Sequence, residues 1–460
     1  MALVRSVSPQ RPGDVVLEVP AATAADVEKA ALAARQAQRG WWDAPAATRA
    51  TALGAAAAAL RARAGEAAGL VVREVGKPAG EAAGEIARGV AILEYYAQAC
   101  YAAVGSTLPP SLPGLLWTER RPHGVAGLVT PWNFPVAIPL WKAAPALAAG
   151  NGVLLKPSPD ATGTAAWLGD LLAGVLPDGL VQVLPGAAGT GEAVLAAADV
   201  VSFTGSAAVG RAVAVAAATR GVAVQAEMGG QNAAIVLPDA DLTLAASQIA
   251  AAAMGFAGQK CTATRRVVAV GSPDRVSAVT DALLAAVRAL EPGDPAAAAV
   301  QVGPVIGEAA RQRVLDAATA VTRAGGRVLS GGTALDGDGW FVTPTLVDGV
   351  DPGHPVAQEE TFGPLLLVQA AASLDEALRL AEGVRYGLVT SIHGRDLGQV
   401  LAAVRGVQTG LVKVNAPTTG VDFWAPFGGE RDSSYGQREQ GTAALDFYAS
   451  TRTITLAPHP

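Results

Sequence analysis

Residues 125–157 read VAGLVTPWNFPVAIPLWKAAPALAAGNGVLLKP, in which two short apolar runs flank a helical segment. Short apolar runs that alternate with helices are typical of parallel strands joined by crossover helices. The alternation continues to residue 230 through VQVLPG, DVVSFTG and VAVQAEMGG, with helical segments between them. The sequence therefore predicts an α/β fold with a doubly wound parallel sheet, whose ligands bind beyond the carboxyl ends of the strands.

The flanking segments predict three further parts of the fold. Strand and helix patterns alternate again from AAIVLPDAD to TGLVKVN, which predicts a second α/β domain of similar architecture. The first hundred residues read as helices and predict a helical layer. LPPSLPGLLWTERRP and the terminal TRTITLAPHP read as strands without sequence neighbours, so we expect them to pair with each other or with another subunit.

Composition narrows the class of protein. The 460-residue chain has a formal net charge of −6 with scattered Lys and Arg, which argues against a nucleic-acid surface. Apolar runs such as ALGAAAAAL fall short of a membrane span, and the first residues carry no apolar leader. Two cysteines give no disulfide framework. We therefore expect a cytoplasmic protein whose partner is a small molecule.

The segment GFAGQKCTATRR, residues 255–266, holds the cysteine of interest. Cys261 follows a glycine-bearing turn and has Lys260 and two arginines nearby, an electropositive setting of the kind that stabilises a thiolate. Most free cysteines are instead buried and inert, as we expect for Cys100 in the helical YYAQACYAA. The local sequence leaves both interpretations of Cys261 open.

Two polar residues lie where predicted strands end. Glu227 in EMGGQN precedes two glycines and can face a cleft, although an ordinary turn glutamate fits the same pattern. Asn133 in TPWNFP lies between two aromatic residues and two prolines, which hold its amide on a stiff turn. A rigid amide donor is what an oxyanion hole requires.

Three further motifs point to a dinucleotide, each of them weakly. Lys156 ends the strand in VLLKPSPD and can donate to a ribose or a phosphate. FTGSAAVG, residues 203–210, opens a helix whose N–H groups favour a pyrophosphate, although it is not the G-x-G-x-x-G fingerprint. EETFGP, residues 359–364, offers a carboxylate and an aromatic ring, and a strand start with a Gly-Pro turn fits it equally well.

The chain as a whole resembles the aldehyde dehydrogenase superfamily over nearly its entire length. The motifs that carry the resemblance, in the family's order, are TPWNFP, WKAAPALAAGN, LLKPSP, FTGSAAVG, EMGGQN, GQKCTATRR, EETFGP, PFGG and REQG. The spacing from Glu227 to Cys261 also matches. The resemblance implies an aldehyde dehydrogenase-like α/β fold with two doubly wound parallel-sheet domains and a small β oligomerisation arm, assembled as a homodimer or homotetramer.

The resemblance also implies domain boundaries. Residues 1–104 and 122–228 would form the nucleotide-binding domain, and residues 229–432 the catalytic domain. Residues 105–121 and 433–460 would form the oligomerisation arm and the C-terminal segment.

Matching positions imply a catalytic machinery. Cys261 would be the nucleophile, and Asn133 with the Cys261 backbone N–H would form the oxyanion hole. Once a thiolate has added to the aldehyde, the thiohemiacetal can surrender hydride to a nicotinamide, and the resulting thioester is hydrolysed by water that Glu227 deprotonates. Lys142 matches a lysine near the proton path of Glu227. A nicotinamide cofactor, with no metal, would carry the redox step.

The resemblance assigns two further groups of residues. In the cofactor group, Lys156 would bind the adenosine ribose, Ser206 and Trp132 the pyrophosphate, Glu360 the nicotinamide ribose and Phe362 the nicotinamide face. The full cofactor group is Thr130, Pro131, Trp132, Lys156, Ser158, Gly205, Ser206, Val209, Met228, Gly229, Glu360 and Phe362. The substrate group is Phe134, Trp141, Lys260, Thr262 and Val421. Lys260 would meet an anionic substrate or favour the thiolate.

Departures from the family pattern bear on specificity. NAD-preferring relatives often carry a glutamate three residues after the lysine that matches Lys156, where this chain has Pro159. Without that carboxylate a 2′-phosphate is not repelled, so both NAD and NADP are expected, with NADP slightly favoured. Gln231 replaces the family's usual lysine. SSYGQREQG and KVNAPTTGVDFWAPFGG look most like 2-oxoglutarate semialdehyde (2,5-dioxopentanoate) dehydrogenases.

Several other activities remain open on the sequence alone. Succinic semialdehyde or simple aliphatic and aromatic aldehydes are alternative substrates. A CoA-acylating dehydrogenase is disfavoured because Glu227 would waste the thioester on water. A cysteine hydrolase would pair its thiol with a histidine, and no histidine lies in a motif, the four being His123, His354, His393 and His459. A catalytically silent binding protein is disfavoured by intact Cys261, Asn133 and Glu227.

Overall fold

The computed structural model describes residues 2–458 as strands and helices that alternate along most of the chain. The strands are β1 (Leu3–Ser8), β2 (Arg11–Pro20), β3 (Thr107–Leu108), β4 (Leu115–Pro122), β5 (Val125–Thr130), β6 (Gly152–Pro157), β7 (Val181–Val183), β8 (Val200–Thr204), β9 (Ala223–Glu227), β10 (Ala233–Val236), β11 (Arg266–Val270), β12 (Arg327–Ser330), β13 (Thr345–Asp348), β14 (Leu365–Ala371), β15 (Tyr386–Gly387), β16 (Val389–His393), β17 (Leu411–Val414), β18 (Glu430–Arg431), β19 (Ser434–Tyr435) and β20 (Ala449–Leu456).

The helices surround these strands. They are α1 (Ala24–Asp43), α2 (Ala46–Ala62), α3 (Ala64–Val75), α4 (Ala79–Ala99), α5 (Ala137–Ala148), α6 (Thr162–Ala173), α7 (Ala188–Ala197), α8 (Ala207–Thr219), α9 (Leu242–Met254), α10 (Pro273–Arg288), α11 (Glu308–Arg323), α12 (Pro355–Gln358), α13 (Leu374–Glu382), α14 (Leu397–Gly406) and α15 (Gly441–Phe447). Two short 3-10 helices cover Pro159–Ala161 and Gly255–Gly258.

The first large sheet has the strand order β19-β9-β8-β5-β6-β7. Strands β5 to β9 are parallel, and only β19 runs antiparallel, beside β9. From β5 the chain first moves outward through β6 and β7, then returns to the other side of β5 with β8 and β9. The direction of winding therefore switches between β5 and β8, which is where such sheets bind ligands.

The second large sheet has the order β12-β13-β14-β11-β10-β16-β17. It is parallel apart from the edge strand β12, and its central strands β10 and β11 are fully buried. Apolar residues on both faces, such as Val267 and Val268, enter separate core clusters under the helices. The prediction of two doubly wound sheets is confirmed.

The N-terminal part combines a hairpin with four helices. Helices α1 to α4 form the predicted layer, and α4 packs on α2 and α5. The expectation that the first hundred residues are helical is wrong before α1, because β1 and β2 form an antiparallel hairpin. The inward positions of β1 include Ser6 and Ser8, both buried. These polar residues remove the apolar alternation that identifies a half-buried strand in a sequence.

The two isolated strands predicted near residues 115 and 455 do pair with each other. Strand β20 runs antiparallel to β4 in unbroken register from Ala449 opposite Pro122 to Leu456 opposite Leu115, and β3 adds to the far edge of β4. Within residues 2–458, no helix is both long enough and apolar enough to cross a membrane.

Candidate active site

Cys261 lies in a tight turn between α9 and β11. The chain leaves α9 through the 3-10 helix Gly255–Gly258, in which Phe256 and Ala257 both have a φ of 51°. A positive φ is unfavourable for residues with a side chain and is found where surrounding structure holds the backbone for function. A Cβ on Gly258 would lie 2.3 Å from the Gly363 carbonyl oxygen, so only glycine fits there. The turn presents the half-buried Cys261 to a cavity of about 340 Å³.

The surroundings of Cys261 are not electropositive, which corrects the expectation from the sequence. Burial raises the pKa of the Cys261 thiol to about 12, and the Glu360 and Glu227 carboxylates raise it further. Lys260 pairs with Glu81 at 2.5 Å. Arg265 donates to the carbonyls of Gly258 and Gly363, and Arg266 also donates to backbone carbonyls. The neighbouring cations are thus engaged elsewhere, and none of them lowers the pKa of the resting thiol.

Asn133 follows β5 and is joined to the cysteine turn. Its side chain is 4% exposed, and its Nδ2 donates a 3.0 Å hydrogen bond to the carbonyl of Gln259, two residues before Cys261. An amide nitrogen carries two hydrogens, so one remains for an oxyanion. The start of α5, which follows Asn133, is also held in place, because Glu85 Oε1 accepts hydrogen bonds from the backbone N–H groups of Val136 and Ala137.

Glu227 ends β9 and points into a buried polar group. Its Oε2 accepts a 2.6 Å hydrogen bond from Ser434 Oγ, and its Oε1 is buried without a partner among residues 2–458. Burial, followed by the charge of Glu439, raises the pKa of Glu227 well above its usual value. A Cβ on Gly428 would lie 2.8 Å from Glu227 Oε1, so glycine leaves room beside this oxygen.

A buried ion pair lies behind Glu227. Lys142 pairs with Glu439 and donates to Ser202 Oγ at 2.7 Å, and Ser202 Oγ donates to Glu439 Oε1 at 3.2 Å. Lys142 and Glu439 are 1% and 2% exposed, so neither is screened by water. The sequence assigned no role to Glu439 or Ser434. Their only signal was their place in SSYGQREQG, a stretch that looked like 2-oxoglutarate semialdehyde dehydrogenases and in which no residue was given a role.

The switch point of the first sheet has the features of a nucleotide site. Thr130 ends β5 and Thr204 ends β8, and the hydroxyls of both are buried without a partner within residues 2–458. Lys156, near the end of β6, is 7% exposed, and burial lowers the pKa of its ammonium. Unpartnered buried donors and acceptors at the carboxyl ends of three neighbouring strands fit a polar ligand that crosses the sheet edge.

The helix that follows β8 adds a site for a pyrophosphate. Ser206 occupies the N-cap of α8, and its side chain makes no capping hydrogen bond. The first N–H groups of the helix, after Gly205, are therefore available to an anion. A Cβ on Gly210 would lie 2.5 Å from the sulfur of Met228, which packs the helix closely against the end of β9. Val209 lies in the first turns of α8 and is exposed.

Glu360 and Phe362 lie at the other end of this site. Gly230 N–H donates to Glu360 Oε1 at 3.2 Å, and a Cβ on Gly229 would lie 1.9 Å from Glu360 Oε2. Burial raises the pKa of Glu360 to about 7. Phe362 has a φ of 51° and meets Trp132 edge to face at 5.7 Å between ring centroids. The carboxylate and the ring suit a ribose and a flat heterocycle, so the residues present fit a nicotinamide dinucleotide.

The remaining predicted cofactor residues are placed around the same sheet edge. Pro131 follows β5 directly. Ser158 accepts from the Asp160 N–H at the start of the 3-10 helix Pro159–Ala161, so its hydroxyl already has one partner. Gln231, the departure from the family's lysine, donates to the Val356 carbonyl at 2.8 Å.

All five predicted substrate residues line the cavity that Cys261 faces. The lining consists of Glu81, Gly84, Glu85, Arg88, Phe134, Trp141, Lys260, Cys261, Thr262, Thr419, Gly420, Val421 and Phe427. Sequence reasoning missed the part of this wall that helix α4 supplies, because that helix carries no recognisable motif. The cavity reaches Cys261 from the side of α4, and the nucleotide site lies at the carboxyl edge of the first sheet.

Comparison with known proteins agrees with this arrangement. The profile of the "Aldehyde dehydrogenase family" matches residues 2–454. The chain is 38% identical to an alpha-ketoglutaric semialdehyde dehydrogenase of Bacillus subtilis strain 168, over 99% of this chain and 95% of that protein. It is 36% identical to a 2,5-dioxopentanoate dehydrogenase of Saccharolobus solfataricus, over 90% of this chain and 88% of that protein.

A solved structure agrees equally well. The crystal structure of an NAD-dependent aldehyde dehydrogenase from Sinorhizobium meliloti superposes with a TM-score of 0.95 at 34% identity, covering 100% of this chain and 93% of that one. A match of sequence and fold over the whole length makes this chain a member of the aldehyde dehydrogenase family, an NAD(P)-dependent enzyme that oxidises an aldehyde to the carboxylic acid.

Proposed function

We propose that this enzyme oxidises an aldehyde that carries a carboxylate at its other end, such as 2,5-dioxopentanoate, with Cys261 as nucleophile. The observation that carries the catalytic part is the joining of the Cys261 turn to Asn133, with Glu227 close enough for its charge to act on the thiol. The substrate class is supported by the printed activities of the Bacillus and Saccharolobus relatives.

The first chemical step is addition of the Cys261 sulfur to the aldehyde carbon. Because the resting thiol has a raised pKa, its proton must leave as the carbon–sulfur bond forms, and it passes to water in the open cavity. The aldehyde oxygen becomes an oxyanion, which the unused N–H of Asn133 and the backbone N–H of Cys261 stabilise. Bound NAD(P)⁺ supplies the hydride acceptor.

Release of the acid requires water and a base. We assign this role to Glu227, which removes a proton from the water that attacks the thioester. A carboxylate with a raised pKa is a stronger base than an ordinary glutamate, and burial with the neighbouring Glu439 produces that shift. Lys142, paired with Glu439, holds the second carboxylate of this buried group in place.

The proposed cofactor assignments rest on the match to the family, and the polar residues at the sheet edge support them. Lys156 would bind the adenosine ribose, Ser206 with Trp132 the pyrophosphate, Glu360 the nicotinamide ribose and Phe362 the nicotinamide face. We expect NADP⁺ to be slightly favoured over NAD⁺, because Pro159 supplies no carboxylate against a 2′-phosphate. Asp160 limits this preference, since its charge acts on the Lys156 ammonium.

Assembly and location complete the proposal. Leu108, Leu112, Leu115 and Leu456 are exposed apolar residues on or beside the sheet of β3, β4 and β20. Exposed leucines on a sheet are a common feature of subunit interfaces, which supports a homodimer or homotetramer. Cys100 and Cys261 are both free thiols, which agrees with a reducing, cytoplasmic location.

The rival activities find less support. A cysteine hydrolase needs a histidine beside its thiol, and His123, His354 and His393 bond instead to Phe447, Val356 and Ser391. His459 lies outside the described residues. A CoA-acylating enzyme remains disfavoured, because Glu227 is held in a base-like environment near the thiol.

The function is tested by following NAD(P)H absorbance. The assay pairs each cofactor with 2,5-dioxopentanoate, succinic semialdehyde, pentanal and benzaldehyde, and it repeats each reaction with added CoA. We expect the highest kcat/KM with 2,5-dioxopentanoate and no dependence on CoA. Higher kcat/KM for a neutral aldehyde would refute the substrate class, and a requirement for CoA would refute hydrolytic release.

A further inference from the structure

One face of helix α4 forms a wall of the cavity in front of Cys261. Glu81, Gly84, Glu85 and Arg88 all line it. Their spacing of three, four and seven residues places them on the same side of a helix. A Cβ on Gly84 would meet nothing within 4 Å, so the middle of this wall is open.

Both carboxylates on this wall already form an ion pair with a lysine. Glu81 pairs with Lys260 at 2.5 Å. Glu85 pairs with the fully buried Lys77 and also accepts from two backbone N–H groups at the start of α5. Lys260, which the sequence offered as a partner for an anionic substrate, is therefore already engaged by Glu81.

Arg88 differs from the other cations near the cavity. Within residues 2–458 its guanidinium forms neither an ion pair nor a hydrogen bond, and the charges of Asp422 and Glu85 act on it through space. The side chain is half-buried, and burial lowers its pKa. A half-buried guanidinium has lost part of its hydration without gaining a partner, which is unfavourable unless a ligand supplies one.

We propose that the Arg88 guanidinium binds the carboxylate of the substrate that is remote from the reacting aldehyde, and so selects semialdehydes of dicarboxylic acids. A guanidinium can hold a carboxylate with two parallel hydrogen bonds, which adds orientation to charge attraction. This assignment deepens the proposed function and rests on it, because it concerns the substrate of the same site.

The length of the substrate follows from the helix. Arg88 lies seven residues beyond Glu81, a rise of about 10 Å along the helix axis. Glu81 pairs with Lys260, the neighbour of Cys261, so the aldehyde end of the substrate reacts near the Glu81 end of the wall. A carboxylate held by Arg88 must then be separated from the aldehyde by several atoms, with Gly84 leaving room between them. A chain of five carbons fits this better than a chain of three.

Asp422 provides an internal check on the sign of this interaction. It lies exposed in the loop after Val421, and its charge acts on Arg88 without an ion pair. The Asp422 carboxylate therefore competes with an anionic substrate for the positive charge of the Arg88 guanidinium. Its neutralisation as Asp422→Asn should strengthen the binding of an anionic substrate, whereas neutralisation of Arg88 should weaken it.

The experiment compares Arg88→Gln, Arg88→Lys and Asp422→Asn with the parent enzyme on 2,5-dioxopentanoate and on pentanal, a neutral aldehyde of equal length. Arg39→Gln, on the exposed face of α1, is the matched control for loss of an arginine. We expect Arg88→Gln to lower the ratio of kcat/KM for the anionic over the neutral aldehyde about 10- to 100-fold, mainly through KM. Arg88→Lys should retain part of the ratio, and Asp422→Asn should raise it about 2-fold.

The outcomes separate the inference from the function. If Arg88→Gln keeps the parent's ratio within 2-fold while the parent prefers the anionic aldehyde, the proposed function stands and the role of Arg88 is refuted. If the parent enzyme has a higher kcat/KM for pentanal than for 2,5-dioxopentanoate, the proposed substrate class and the role of Arg88 are both refuted. If Arg88→Gln does not fold, as judged by its melting temperature, the test is made with Arg88→Lys by measuring its inhibition by glutarate. Arg88→Lys should then show a higher inhibition constant than the parent, and an unchanged constant would overturn the inference.

Discussion

The amide of Asn133 donates a 3.0 Å hydrogen bond to the carbonyl of Gln259, two residues before Cys261. This bond joins the end of the central strand of one sheet to the turn that enters the other sheet. It holds the candidate oxyanion donor and the candidate nucleophile in one rigid unit. The chemistry that we propose depends on the relative position of Asn133 and Cys261. A shift of either segment would disturb it.

Replacement of Asn133 tests the oxyanion hole. We expect Asn133→Ala to lower kcat about 10²- to 10³-fold, as removal of one oxyanion donor does in other enzymes. The steady-state rate of NAD(P)H formation measures this, and cofactor binding by fluorescence is the control for folding. A variant with normal cofactor binding and a kcat within 3-fold of the parent would show that Asn133 has no such role.

Replacement of Glu227 tests the hydrolytic base. Glu227→Gln should give one equivalent of NAD(P)H per site and then stall, because addition and hydride loss do not require water activation. Rapid-mixing absorbance resolves the burst from the steady state. Sustained turnover at the parental rate would exclude Glu227 as the base.

The pH profile should show the shifted group directly. A base works only when deprotonated, and burial with the Glu439 charge raises the pKa of Glu227. The acid limb of the kcat profile should therefore lie well above the pH at which an ordinary glutamate titrates. In Glu439→Gln the limb should move to lower pH, because a charge that raises the pKa of Glu227 is gone. An unmoved limb would mean that another group controls the profile.

The same Glu439→Gln variant should be markedly less stable. In the parent protein the Glu439 side chain pairs with Lys142, and both are almost fully buried. The substitution leaves the Lys142 charge uncompensated. Loss of one partner of a buried pair typically costs about 3–5 kcal/mol. Urea unfolding measures the loss, with Glu94→Gln in the exposed Arg61–Glu94 pair as control, where we expect less than about 1 kcal/mol. Equal losses in both variants would contradict the account.

Cofactor choice has a separate test in Asp160. The Asp160 charge acts on Lys156, which we assign to the adenosine ribose. Asp160→Asn should raise the ratio of kcat/KM for NADP⁺ over NAD⁺ about 3- to 10-fold, since a carboxylate that opposes a 2′-phosphate has been removed. Initial rates at saturating aldehyde give the ratio. An unchanged ratio would place Asp160 outside the ribose site, and a lower ratio would contradict the predicted repulsion.

Both sheets were predictable because their strands are short, apolar and separated by helices. Motifs at strand ends could likewise be located, since parallel strands bring their carboxyl ends to one edge. The hairpin of β1 and β2 was not predictable, because Ser6 and Ser8 occupy its buried face. Elements that are marked by the spacing of apolar residues can be predicted from the sequence. Elements whose buried positions hold polar residues, and contacts between polar residues distant in sequence, cannot.

Charge pairing explains the errors within the site. Lys260 and the arginines after Cys261 suggested a positive environment, but the sequence does not reveal that Glu81 neutralises Lys260 from a helix about 180 residues earlier in the chain. For the same reason Arg88 carried no signal, since its significance lies in the pairing of its neighbours and in the lack of a partner of its own. Spatial partners of charged residues require a structure.

Covalent trapping tests the central claim, that Cys261 is the nucleophile, most directly. Glu227→Gln is incubated with 2,5-dioxopentanoate and NADP⁺, quenched in acid, and analysed by intact mass and peptide mapping. We predict one acyl group per chain, bound to Cys261 and absent from Cys261→Ala, which should itself lose more than about 10³-fold of its turnover. An acyl group on Cys100, or full turnover by Cys261→Ala, would contradict the account.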